Sequence, residues 1–234
     1  MSLAEGILDL LFPPKCPFCQ KILEHPRAPL CPACQPELAW LEGAAGERRV
    51  DFTCGCFSPL GYRGRTAQAV KRYKFQRVRA YAEPLGELMA QCLQDRLPQG
   101  ADLVTWAPLS QKRLRERGFN QAELLARRVG ELCGLPCAPT LRKIRHTRPQ
   151  SGLAGDGERK ANAEGAYELL PGAALSGKRV VLADDVVTSG ATLSQCARLL
   201  REAGAEAVYG LTLAQARGDE DRSAPKLPEK TGKL

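Results

Sequence analysis

The stretch Val180-Val181-Leu182-Ala183-Asp184-Asp185-Val186-Val187-Thr188-Ser189-Gly190-Ala191-Thr192 decides the fold. An apolar run, read as a strand over 179–183, meets two adjacent carboxylates at its C-terminal end. A tight turn of small hydroxyl residues around Gly190 follows, and a helix is predicted over 191–203, closed by Gly204. Backbone N–H groups at a helix N-terminus hold an anion, and a glycine lets the chain approach it closely. Thr188, Ser189, Gly190, Ala191 and Thr192 therefore form a candidate phosphate loop. Asp184 and Asp185 repel a phosphate; they suit the hydroxyls of a sugar diol or the water shell of Mg²⁺. A sugar 5-phosphate with free hydroxyls satisfies both halves. A plain strand–turn–helix needs a single hydroxyl cap and leaves the carboxylate pair unexplained.

Outward from this stretch, strands alternate with helices. Strands are predicted at 103–106, 167–170, 179–183 and 207–213, and helices at 65–73, 81–97, 120–133 and 191–203. On the third helix Ala122, Leu125, Val129 and Leu132 share one face. Such alternation predicts an α/β fold with a parallel sheet. Residues 1–12 read as a short amphipathic helix stopped by Pro13-Pro14. The organisation expected is residues 1–57 for this helix and a cysteine-rich ribbon, 58–216 for the α/β domain, and 217–234 for a mobile tail. Stretches 111–119 and 142–163 show no clear element, and the second is long enough to be a lid or binding loop. A second anion end lies at Ala107-Pro108-Leu109-Ser110-Gln111-Lys112-Arg113, where a strand ends in a basic turn. Ser110, Lys112 and Arg113 there can receive a diphosphate and neutralise it as it departs.

With 234 residues, 44% hydrophobic and 26% charged, the chain has the mix of a globular protein, and no apolar run is long enough to span a membrane. Its net charge of +8 favours an anionic partner or substrate. Residues 1–12 contain Glu5 and Asp9 and lack both a basic n-region and a small-residue cleavage site, so no secretory signal is expected. Ten cysteines in such a chain point to metal rather than to disulfides. Cys16-Pro17-Phe18-Cys19 and Cys31-Pro32-Ala33-Cys34, eleven residues apart, can place four thiolates around a structural Zn²⁺ with no open position. A redox dithiol needs only one such pair, within a βαβ pattern that is not seen here. Cys92, Cys133, Cys137 and Cys196 read as small core hydrophobes.

The positive charge is concentrated. Residues 62–81 carry Arg63, Arg65, Lys71, Arg72, Lys74, Arg77 and Arg79 and no acid, interleaved with Tyr62, Tyr73, Phe75 and Tyr81. Cations alternating with aromatics can follow a nucleic-acid backbone while stacking its bases. The same pattern also arises when the aromatics are core and the cations solvated. Arg63, Arg65, Lys71, Arg72, Tyr73 and Lys74 are the candidate nucleic-acid contacts.

The segment 180–192 resembles the ribose-5-phosphate signature of the type I phosphoribosyltransferases. That resemblance implies that Asp184 and Asp185 take the ribose diol, that residues 188–192 wrap the 5′-phosphate, and that the 107–113 turn is a diphosphate loop. Arg117-Gly118-Phe119-Asn120-Gln121 follows that turn. Arg145, Thr147, Gln150, Leu153, Arg159, Asn162 and Ala166-Tyr167 come later. Together with the cysteine ribbon, these are similar to the ComF family of late-competence proteins, a zinc ribbon fused to an amidophosphoribosyltransferase-like domain. Read from the residues alone, 117–121 is also a helix start, with Asn120 as N-cap and Arg117 as a surface charge. The family resemblance implies a cytoplasmic protein of natural transformation, peripheral at the inner face of the membrane. It would handle incoming single-stranded DNA, with structural Zn²⁺, Mg²⁺, and phosphoribosyl diphosphate as ligand or substrate. A DNA-uptake helicase or membrane channel is the implied protein partner. The alternatives are a metabolic phosphoribosyltransferase with an unidentified acceptor and a zinc-ribbon adaptor without catalysis. Many relatives carry a second set of four cysteines; Cys54-Gly55-Cys56 has no completing pair here, which reads as loss of that second site or, alternatively, as part of a rearranged single site.

Overall fold

The structure, a computed structural model, describes residues 13–76, 78–145 and 164–216. The helix expected at 1–12, most of the loop 142–163 and the tail from 217 lie outside them. The central strand is β7 (Arg179–Val187), flanked by β4 (Leu103–Trp106) and β8 (Ala207–Gln215). Beyond β8 come β2 (Gly55–Phe57) and the edge strand β1 (Glu47–Arg48), while β3 (Leu60–Gly61) also pairs with β8. Within this sheet every strand pairing is parallel except that of β1 with β2. The register sets Val104 beside Val181 and Leu182 beside Gly210. Residues 180–183 are buried on both sides, the continuous apolar run that a covered parallel strand requires.

Two helical layers supply the cover. On one face α1 (Gly64–Phe75), α2 (Ala82–Arg96) and α4 (Gln121–Cys133) bring Tyr73, Leu85, Met89, Leu125 and Val129 against Val104, Val181, Ala183 and Leu211. On the other, α5 (Ala191–Glu202) brings Leu193, Cys196, Ala197 and Leu200 against Val180, Leu182 and Val208. Leu132 does not join its expected face on α4 and is 38% exposed.

Three expectations are corrected. β6 (Tyr167–Leu169) does not enter the parallel sheet; it pairs antiparallel with β5 (Leu141–Lys143) as a separate ribbon. A short helix, α3 (Gln111–Arg117), occupies part of a stretch without predicted structure. Its sequence QKRLRER has no apolar stripe and no residue in it is buried, so periodicity is silent, and it is held by its ends. Ser110 caps it by accepting from the Arg113 N–H (3.4 Å), and Gly118 ends it with φ +81°. Third, β7 runs on through Asp184, Asp185, Val186 and Val187, so the carboxylates lie within the strand rather than after it.

The sheet also reaches back into residues 47–61, where no strand was predicted because two or three residues carry no period. There Cys56 is fully buried against Gly210, and a Cβ on Gly210 would come within 2.8 Å of its sulfur. The cysteine-rich segment joins the first core: Cys16, Phe18, Leu23, Leu30 and Leu38 cluster with the side chains of α1 and α2.

Candidate anion-binding site and metal centre

Side chains alternate along β7, and the two carboxylates meet different neighbours. Asp185, buried, accepts an ion pair from Lys74 Nζ at 2.8 Å, near the C-terminus of α1. Asp184 accepts the Asp185 backbone N–H (2.8 Å) and lies in the field of Lys143 and of Cys196 on α5. It keeps some surface open yet is surrounded by protein. Burial, and secondarily the Asp185 charge, push its pKa up to about 7, with Lys74 and Lys143 pulling the other way.

Thr188, Ser189 and Gly190 lead into α5. Gly190 takes φ +78° at the N-cap position, and a Cβ there would meet Val50 at 3.1 Å, so only glycine suits this turn. Gly190, as the N-cap residue, has no side chain to offer this helix, and the Ala191 N–H donates to Ser189 Oγ at 3.4 Å. The first turn of α5 thus presents the donor end of a twelve-residue helix.

Lysine and arginine surround this corner. Lys143 Nζ donates to the Tyr167 hydroxyl (3.0 Å), which donates to Thr192 Oγ1 (3.4 Å) in the first turn of α5. Burial, with the Arg113 charge second, lowers Lys143 from 10.5 to about 8. Arg117 donates to Gln121 Oε1 (2.9 Å) and lies in the field of Asp185, Arg113 and Asp184; burial lowers its pKa. The Arg117–Gln121 run thereby gains a residue-by-residue account. Gly118 closes α3, and Phe119 is buried with its ring centroid 5.6 Å from that of Tyr73. Asn120 caps α4 through Ala122 N–H (3.1 Å) and donates to Ala107 O (3.2 Å), tying α4 to the end of β4.

The acidic pair, residues 188–192 and Arg113 belong to this corner, whereas Ser110 caps α3 and Lys112 is exposed on it. Lys143, Arg117 and the Lys74–Asp185 pair were not singled out for this site from the sequence. A lone lysine on a three-residue strand has no local signal, and Lys74 is one of seven cations in its run. Carboxylate oxygens accept hydrogen bonds from the waters of a hydrated Mg²⁺, so the residues present fit that ion.

Of the other nucleic-acid candidates, Tyr73 is fully buried with its hydroxyl donating to Gln121 O (3.1 Å), so it is a core residue and not a stacking one. Arg72 donates to the carbonyls of Pro17 and Phe18, both at 2.7 Å. Arg65 contacts Glu37 (2.5 Å) and Cys34 Sγ (3.7 Å). Arg63 and Lys71 are exposed.

Cys16, Cys19, Cys31 and Cys34 bring their sulfurs within 4.8 Å of one another. Zn–S bonds of about 2.3 Å at tetrahedral angles separate sulfurs by about 3.8 Å, so this cluster fits the ion. Two turns form it: Cys16 N–H donates to Lys21 O (2.9 Å), and Cys34 N–H to Cys31 O (3.0 Å). Cys54 is exposed and Cys56 lies in the sheet, so neither joins the cluster. Cys92 and Cys196 are buried on helices, and Cys133 and Cys137 half-buried.

Residues 114–231 match the phosphoribosyl transferase domain model, and residues 7–48 match the double zinc ribbon domain model. DNA utilization protein YhgH of Salmonella typhimurium is 31% identical over 201 residues, covering 82% of this chain and 80% of that protein. Competence protein F of Haemophilus influenzae is 30% identical over 156 residues, 63% of this chain and 66% of that protein's length. Competence protein ComFC of Streptococcus pneumoniae is 29% identical over 202 residues, 86% of this chain and 80% of that protein. A zinc ribbon and a phosphoribosyltransferase domain of mixed α/β build define the class. The chain belongs to the ComF family, with YhgH and competence protein F among its relatives. Among the described residues no helix is long and apolar enough to cross a membrane.

Proposed function

We propose that this protein serves DNA utilization in natural transformation by binding phosphoribosyl diphosphate, or a nucleotide, beside Asp184 and Asp185. We assign the 5-phosphate to residues 188–192 and the ribose hydroxyls to the carboxylates. The diphosphate would meet Ser110, Arg113 and Lys143, with Lys112 at its outer edge. The observation that carries the reading is the N-terminus of a twelve-residue helix, entered through Gly190, next to an acidic pair in the field of Lys74, Arg113, Arg117 and Lys143. Mg²⁺, when bound, neutralises the diphosphate and orders it against the ribose. Asp184 and Asp185 would accept hydrogen bonds from the water shell of that ion. Single-stranded DNA would meet exposed Arg63, the residue before α1, and exposed Lys71 on α1, in a salt-dependent manner.

A second reading, transfer of the phosphoribosyl group to an acceptor, is favoured by a cleft of about 400 Å³. It is lined by Pro108, Leu109, Asn120, Leu141 and Lys143, beside the diphosphate turn. In that reading cations at the turn stabilise the departing diphosphate and Asp184 the cationic sugar.

Calorimetric titration with phosphoribosyl diphosphate and Mg²⁺ tests the first reading. Replacing Asp184 and Asp185 together by Asn is expected to weaken binding about tenfold or more. Unchanged affinity would remove the ribose assignment.

A further inference from the structure

The four aromatics interleaved with the cations of residues 62–81 have separate fates. Tyr73 is fully buried, Tyr81 is 6% exposed, and Tyr62 packs against the core. Phe75 is 70% exposed, the most exposed large apolar side chain among the described residues. It stands at the last helical position of α1, next in the chain to Lys74, whose ammonium is paired with Asp185. Its ring is not loose on the surface. The Arg117 guanidinium lies 5.4 Å from the ring centroid and is itself held by Gln121 Oε1. Arg117 in turn feels the charges of both Asp185 and Asp184. An exposed aromatic, braced by a guanidinium and adjoining a sugar-phosphate corner, has the chemistry of a base-stacking surface. Every nucleobase offers a π-face, and stacking on an aromatic beside an arginine needs no particular sequence.

We infer that Phe75, braced by Arg117, is a stacking platform for a nucleobase at the edge of the acidic-pair site. The inference rests on the sugar-phosphate reading above for the other end of the ligand. The base belongs either to a mononucleotide seated in the pocket or to single-stranded DNA passing over it. Phe75→Leu removes the ring and keeps an apolar side chain at an exposed position, and Phe75→Trp keeps a stacking face.

On zinc-loaded protein, AMP and ribose 5-phosphate are compared by calorimetry, and a short oligodeoxythymidylate is titrated by fluorescence anisotropy. The expected result in the pocket is that AMP binds about tenfold tighter than ribose 5-phosphate. Phe75→Leu should abolish this advantage and Phe75→Trp retain it, with ribose 5-phosphate affinity the same in all three proteins. An oligonucleotide affinity that falls about tenfold in Phe75→Leu and returns in Phe75→Trp assigns the platform to DNA instead. If neither the AMP advantage nor the oligonucleotide affinity depends on the ring, the platform is overturned. If ribose 5-phosphate and AMP both fail to bind, the sugar-phosphate reading falls, and the oligonucleotide arm alone decides the platform.

Discussion

The cysteine-rich segment and the β7–α5 unit solve the problem of order in opposite ways. Around Cys16–Cys34 the chain has only turns, a single bridge between Lys15 and Ile22, and the short 3₁₀ turn Gln35–Glu37. Its order must come from four sulfurs and from the core it shares with α1 and α2, with Arg72 of α1 bonding two of its carbonyls. The β7–α5 unit needs no such staple. Val180, Val181, Leu182 and Ala183 are fully buried, as are Cys196, Ala197 and Leu200 on the helix that covers them. That rigid frame can hold a glycine-entered helix start and an adjacent carboxylate pair that destabilise it locally. A segment without a core borrows stability from metal and a neighbour, whereas a segment with a surplus of core can carry a binding site.

The largest effect that would break this contrast is loss of the metal. Cys16→Ser is expected to remove zinc from the chain and to lower the thermal midpoint by about 10 °C or more, read by elemental analysis and calorimetric melting. Full zinc retention in that variant would show that the four sulfurs do not act together. A smaller change sharpens the role of α1. Arg72→Met leaves the Pro17 and Phe18 carbonyls without their donor, at a cost of about 1–3 kcal/mol. Zinc should then pass to a chelator faster while ribose 5-phosphate affinity holds; an unchanged exchange rate would separate α1 from the ribbon.

The smallest effect concerns the other unit. The pKa of Asp184 is raised in the folded protein, from 3.8 to about 7. Its contribution to stability is therefore present at low pH and is lost as pH rises through that window. Asp184→Asn should raise the thermal midpoint more at pH 8 than at pH 5, by a few degrees on the order of those a 1–2 kcal/mol change produces. Equal shifts at both pH values would mean that the carboxylate is not desolvated.

Much of this was legible in the chain. The strand at 103–106 was located from its apolar run, and Asn120 declares itself as the start of α4. The two CxxC pairs carried their geometry in their spacing. Legibility failed where a residue's partner is distant in sequence. Lys74 meets Asp185 across more than a hundred residues, and Lys143 reaches Thr192 only through Tyr167. It failed again at α3 and at β1, β2 and β3, which are too short or too polar to show a period.

By itself, the sequence determined the α/β class, the strand–turn–helix around Gly190 and the four-sulfur cluster, because these depend on local spacing, burial pattern and backbone conformation. Tertiary structure alone decided which of the many cations face the acidic pair and which aromatic stays exposed. It also decided that α1 links the ribbon to the pocket. Charges and rings acquire partners only when helices pack on a sheet, and no short-range pattern encodes that docking.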